Sequence, residues 1–144
     1  IGVAAERVAL AADASQRLPE SMVVTARAEN HIRGVDDLDD TIARLLAYRE
    51  AGADAVYAPG LTDLEQIASV VAAVEIPLNV LVLPGGPTVA ELAAVGVRRV
   101  STGSLLAAAA YGALVEAANT LREEGTPPPT DALVSRSALG AAFD

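Results

Sequence analysis

LDDTIARLLAYREAGADAVYAPG, residues 38–60, holds one complete unit of the pattern that decides the fold. Apolar residues three and four apart predict a helix from Leu38 to Ala51, and Gly52 stands where a helix C-terminus favours positive φ. Ala55-Val56-Tyr57-Ala58 follows and is closed by Pro59-Gly60. Apolar throughout and bounded by turn formers, it predicts a strand buried on both faces, as parallel sheets require.

The same unit recurs on either side. Upstream, Val3 to Leu18 reads as a helix closed by Pro19, and Met22 to Ala26 as a β-branched strand running into Arg27-Ala28-Glu29-Asn30. Gly34 to Asp37 is a loop. Downstream come a helix from Asp63 to Val74 and a strand from Leu78 to Leu83, ended by Pro84-Gly85-Gly86-Pro87. A short helix, Val89 to Ala94, stops at Gly96. A fourth strand, Val97 to Ser101, ends in Thr102-Gly103-Ser104, and an Ala-rich helix runs on to about Glu123. Strands alternating with single helices predict parallel βα units, an α/β fold. Four such units make half of an eight-fold barrel or a small open sheet. A half barrel alone leaves two edges and an uncovered face, so further chain upstream is expected. The stretch 1–126 is read as this partial barrel. In 127–144, the extended run of prolines leads to a helix from Asp131 to Phe143, with Thr130 or Asp131 as its N-cap. That helix docks either on its own subunit or on a partner.

Composition narrows the chemistry. The 144 residues are 52% hydrophobic but only 3% aromatic, so the core is built from Ala, Val and Leu. The net charge of -9 argues against nucleic acid or an anionic membrane as the main partner. All 10 basic residues are Arg, which removes Schiff-base chemistry by a lysine of this chain. Without cysteine there is no disulfide, thiolate nucleophile or thiolate metal site. No apolar run is long enough to span a bilayer and no signal peptide is visible. A cytoplasmic protein, its beginning upstream of Ile1, is expected.

In parallel βα architectures ligands bind at the C-terminal ends of the strands. Arg27 sits at such an end, where a guanidinium needs a pair or an anion, and its planar fork suits a carboxylate or phosphoryl group. A bracing ion pair with Glu29 is the structural alternative. His31, the single histidine, is expected to face solvent from its loop. Pro59-Gly60 and the turn holding Gly85 and Gly86 either serve as plain turns or let a ligand approach the backbone. Asn79, within an apolar strand, needs hydrogen-bond partners, either near substrate or between strands. Ser104 reads equally as an anion-binding helix start and as an ordinary N-cap. The cluster Asp36-Asp37 and Asp39-Asp40 fits a helix start, where carboxylates favour the dipole, better than a metal site.

Together these residues resemble the isocitrate lyase / phosphoenolpyruvate mutase superfamily. The resemblance rests on Thr25-Ala26-Arg27-Ala28-Glu29, on Arg44 to Asp54 with its Ala51-Gly52-Ala53-Asp54, and on Ile76-Pro77-Leu78-Asn79-Val80. Glu91-Leu92 and Gly96-Val97-Arg98-Arg99-Val100-Ser101 follow in order. It implies the second half, about strands 5 to 8, of a (β/α)8 TIM barrel whose C-terminal helix is exchanged between subunits of a homo-oligomer. It also implies a Mg-dependent enzyme that makes or breaks C–C or P–C bonds beside the carboxylate of a small 2-oxo acid, through an enolate-like species. Arg27 and Glu29 are then the catalytic candidates, Arg27 gripping the anion and Glu29 orienting it. Arg27, Asn79, Gly85 and Gly86 form the substrate-binding set. The family's D-x-D metal site and catalytic loop belong upstream of Ile1, so the Mg ligands are not expected in this chain. Pro59 and Leu81 depart from the residues of the lyases and the mutase, while Pro59 and the run Pro77-Leu78-Asn79-Val80 look more similar to a 2-oxo acid decarboxylase or related hydrolase. The competing expectation is a noncatalytic half barrel that serves as an oligomerisation unit. A phosphate-binding barrel of another family, hinted at by Thr102-Gly103-Ser104, is a third.

Overall fold

The computed structural model describes residues 1–129 and 133–142. They form two compact units, Ile1–Gly103 and Ser104–Asp144. The first is an α/β unit of four strands: β1 (Thr25–Arg27), β2 (Ala55–Tyr57), β3 (Leu78–Leu81) and β4 (Arg99–Ser101). They pair in the order β1-β2-β3-β4, and every pair is parallel. The helices of this unit are α1 (Gly2–Gln16), α2 (Leu38–Glu50), α3 (Leu64–Val74) and α4 (Val89–Ala94), with a 3-10 turn at His31–Arg33.

Helices α2, α3 and α4 start where the sequence provides a side-chain acceptor for free N–H groups, whereas α1 has no side-chain cap. Asp37 caps α2 by accepting from Asp40 N, and Asp63 caps α3 by accepting from Gln66 N. Thr88 and Glu91 close a reciprocal capping box on α4. The Thr88 backbone N–H, donated to the Glu91 carboxylate, holds that group below its ordinary value of 4.5. The helices α2 and α3 lie against one face of the sheet, with α1 on α2. Between them sits a core of small aliphatic side chains, with Leu45, Val56, Ile67, Val70 and Val74 fully enclosed. Burying an Ile or Leu contributes about 1.5–3 kcal/mol each, so a core nearly free of aromatics still holds four short strands.

The strand order, the helix positions and their C-terminal stops match expectation; Gly52 has φ +94° and Gly96 φ +91°. Three strand boundaries differ by two residues or more. The first strand begins at Thr25, because Met22 N bonds Ser15 Oγ (2.8 Å) and Val24 N bonds Asp54 Oδ2 (2.7 Å). Side chains thus take the donors that a ladder would need. The fourth begins at Arg99, because Val97 N closes the preceding helix on Leu92 O (3.0 Å). The third ends at Leu81 rather than Leu83.

The second unit consists of α5 (Leu105–Glu124) and α6 (Arg136–Ala141). The C-terminal helix is shorter than expected and is capped by Ser135, which accepts from Ala138 N. The caps expected at Thr130 and Asp131 lie outside the described residues, as does Phe143. Ser104 precedes α5 but makes no side-chain capping bond. Within α5 no residue is buried, and Leu106, Tyr111 and Leu114 are largely exposed. Among the described residues no helix is long and apolar enough to cross a membrane.

Candidate functional site

Side chains alternate along a strand, so parallel registry lines up one residue from each strand on a common face. Here the registry aligns Arg27 with Tyr57, Tyr57 with Asn79, and Asn79 with Arg99. Their neighbours Ala26, Val56, Leu78 and Val80 belong to the core beneath the helices. The row of Arg27, Tyr57, Asn79 and Arg99 therefore occupies the opposite face.

At one end of the row, Arg27 is fixed from two directions. Its Nη2 donates to Glu29 Oε1 at 2.7 Å, and its Cζ lies 5.3 Å from the centre of the Tyr57 ring. The ring's negative face attracts the cation, and the carboxylate aligns the fork. Both partners of the ion pair are about half exposed, so the guanidinium keeps donors free for a ligand. The carboxylate also receives Arg33 Nη2 through Oε2, at 3.3 Å. Thus Glu29 links Arg27 to the loop behind it.

Farther along the row, Asn79 is buried, and both ends of its amide are occupied. Its Nδ2 donates to Ser101 Oγ (3.0 Å) and its Oδ1 accepts from Arg99 Nη1 (2.7 Å). Gly85, at φ +76°, follows Pro84 in a tight turn closed by Gly86 N on Leu83 O (3.0 Å). Pro then positive-φ Gly is the signature of a type II turn. The Gly86 amide is therefore used within the turn.

The loop after β1 is more ordered than its sequence suggested. His31 was expected in solvent, yet its side chain is only 6% exposed. Its Nδ1 lies 3.0 Å from Asp36 Oδ1 and its Nε2 3.3 Å from Thr41 Oγ1, which itself donates to Asp37 O. Gly60 makes this possible: a Cβ there would come within 3.0 Å of His31 Cβ. Nearby, a cavity of about 240 Å³ is lined by Glu29, Asn30, Arg33, Val35, Asp40 and Arg44. Asp40 accepts from Arg44 Nε at 2.6 Å and from Asn30 Nδ2. Those hydrogen bonds, Arg44 first, hold the Asp40 carboxyl below its ordinary 3.8 and raise the Arg44 guanidinium. The acidic cluster is thus divided between a helix cap, a histidine clamp and an ion pair. Among the described residues no three His, Asp or Glu side chains gather to hold a metal ion.

The phosphoenolpyruvate phosphomutase family model matches residues 1–122. The chain belongs to that family. Among relatives of this phosphomutase-family chain, the oxaloacetate decarboxylase of Pseudomonas paraeruginosa is 37% identical over 127 residues, 85% of this chain and 40% of the decarboxylase. A solved protein of Burkholderia cenocepacia, assigned as a lyase/mutase, is 49% identical with a TM-score of 0.86, covering 99% of this chain and 52% of that one. A phosphonopyruvate hydrolase in complex with oxalate and Mg²⁺ is 28% identical with a TM-score of 0.73, covering 96% and 50% of the two chains. The chain spans about half the length of the relatives it matches.

Two members of the row, Tyr57 and Arg99, were not singled out in the sequence. The available signal was period-two spacing from Arg27 and Asn79 once strand registry is known.

Proposed function

We propose that this chain is the carboxylate-gripping half of a (β/α)8 barrel enzyme that cleaves or forms a bond beside the carboxylate of a small 2-oxo acid. The observation that carries this reading is Arg27, held by Glu29 and Tyr57 at a strand's C-terminal end on the face away from the helices. There its fork binds one substrate carboxylate in two parallel hydrogen bonds. When the neighbouring bond breaks, its electron pair moves into an enolate conjugated with that carboxylate, and a fixed positive charge stabilises the charge that develops. Glu29 keeps the fork aligned, and the turn at Gly85 and Gly86 borders the same strand ends.

The decarboxylase relative acts, by its name, on oxaloacetate, and the hydrolase complex holds oxalate. Both are small carboxylates that suit one fixed guanidinium. The Mg²⁺ of that complex supports a metal-dependent reading of the intact enzyme. Homo-oligomerisation with exchange of the C-terminal helix belongs to the same proposal. Its support is the apolar surface of α5, exposed in the single chain.

The test is a turnover screen of the intact protein with Mg²⁺ on oxaloacetate, methylisocitrate, isocitrate and phosphonopyruvate, against protein-free controls containing Mg²⁺. Consumption of oxaloacetate or a close relative above control is the expected result. No turnover of any of the four would favour the noncatalytic half barrel.

A further inference from the structure

The 3-10 turn after β1 has three side chains, and only one of them is enclosed. Ile32 is 49% exposed and the Arg33 side chain 75%, whereas that of His31 is 6% exposed. A single turn with most of its side chains in solvent has little packing of its own to fix it. Its place therefore depends on His31, with Asn30 adding a second anchor through Asp40.

His31 is gripped at both ring nitrogens. Asp36 Oδ1 lies 3.0 Å from Nδ1, and Thr41, fully buried in α2, presents its Oγ1 3.3 Å from Nε2. The Thr41 hydroxyl donates to Asp37 O at 2.8 Å, which leaves its oxygen lone pairs for the ring. The turn that closes β2 packs against the base of the side chain. A Cβ at Gly60 would stand 3.0 Å from His31 Cβ and 3.1 Å from Ile32 Cγ2.

What the turn carries is the alignment of Arg27. Glu29 is tied to it through backbone and side chain: its O accepts from Arg33 N at 3.1 Å, and its Oε2 from Arg33 Nη2 at 3.3 Å. The other carboxylate oxygen receives Arg27 Nη2 at 2.7 Å. A displacement of the turn is therefore passed by Glu29 to the guanidinium. A fork that must meet a carboxylate in two parallel bonds tolerates little misalignment.

We propose that His31 is a positioning residue for Arg27: clamped between Asp36 and Thr41, it fixes the turn that aligns Glu29 and, through Glu29, the guanidinium. This rests on the carboxylate reading of Arg27 and adds a residue that acts on the site without touching substrate.

Steady-state kinetics of the intact enzyme, on the substrate that the screen identifies, test the proposal alongside thermal melts of each variant. His31→Phe keeps a ring of similar size without either nitrogen. It is expected to lower kcat/KM roughly tenfold in a protein still folded at the assay temperature. Because the effect runs through Glu29, His31→Phe should add less than about twofold to Glu29→Gln, whereas a general loss of structure would lower both backgrounds alike. Asp36, whose side chain is 83% exposed, gives a second route that spares the core and decides the matter if His31→Phe does not fold. Asp36→Ala should share the loss, and Asp36→Asn, which keeps an acceptor for Nδ1, should recover most of the activity. Unchanged kcat/KM in His31→Phe or in Asp36→Ala, or equal losses in the wild-type and Glu29→Gln backgrounds, would overturn the inference and leave Arg27 its role. Wild-type turnover in Arg27→Ala would instead remove the carboxylate reading, and this inference with it.

Discussion

Replacing Arg27 by Ala should separate activity from stability more cleanly than any other single change in this chain. The substitution removes three things. One is the ion pair to Glu29, whose partners are 49% and 39% exposed; such pairs contribute about 0–1 kcal/mol to folding. Another is the contact over Tyr57, about 0.5–1 kcal/mol at an exposed site. Together these predict a folding loss below about 2 kcal/mol, or a melting temperature lower by several degrees. The third is a charged donor at the developing negative charge, a loss of about 10²–10³ in rate, or roughly 2.7–4 kcal/mol. The assay pairs kcat/KM on the substrate found by the screen with thermal unfolding of the same preparations. The expected outcome is a kcat/KM lowered at least ~10²-fold in a protein that remains folded. Arg27→Lys, which keeps the charge but loses the fork and the planar stacking, should fall between the two. Wild-type turnover in Arg27→Ala would refute the anchoring role, and so would an activity loss accounted for by the unfolded fraction.

Other expectations concern the scaffold. The Asp40 carboxyl is held below 3.8 by Arg44 and Asn30, so its contribution to stability is present above that pH and lost as pH falls through its lowered value. Melts of wild type and Asp40→Asn from pH 7 to pH 2 should therefore differ near neutrality and converge in acid; a difference that persists at the acid limit would contradict this. Ile67, fully buried beneath the sheet, should lose about 2–5 kcal/mol on replacement by Ala, and denaturant titration showing less than about 1 kcal/mol would mean the site collapses around the deletion.

The elements were legible because their ends carry local chemistry. Asp37, Asp63 and Thr88 cap, Gly52 and Gly96 stop, and Pro19 breaks, all through neighbours in sequence. Strand starts were not legible where long-range partners decide them: Asp54 takes the amide of Val24, 30 residues away. The same division holds at the site. Arg27 announced itself as a guanidinium at the end of a short strand. Arg99 did not, because its meaning depends on standing level with Asn79, and registry between strands 20 residues apart is a tertiary fact. His31 was misjudged for a related reason: its enclosure depends on Asp36, on Thr41 in the next helix and on the bare backbone of Gly60.

The division of the strands between two faces has an evolutionary consequence. Positions 26, 56, 78 and 80 supply cohesion, while positions 27, 57 and 79, one step away, and position 99, level with 79, make up the row that carries the proposed recognition. Mutation can therefore explore the second set at little risk to the first. A lineage built on this ribbon can drift from one acid to another by exchanging a few alternate letters, and related proteins that handle oxaloacetate and phosphonopyruvate are what such freedom would leave behind.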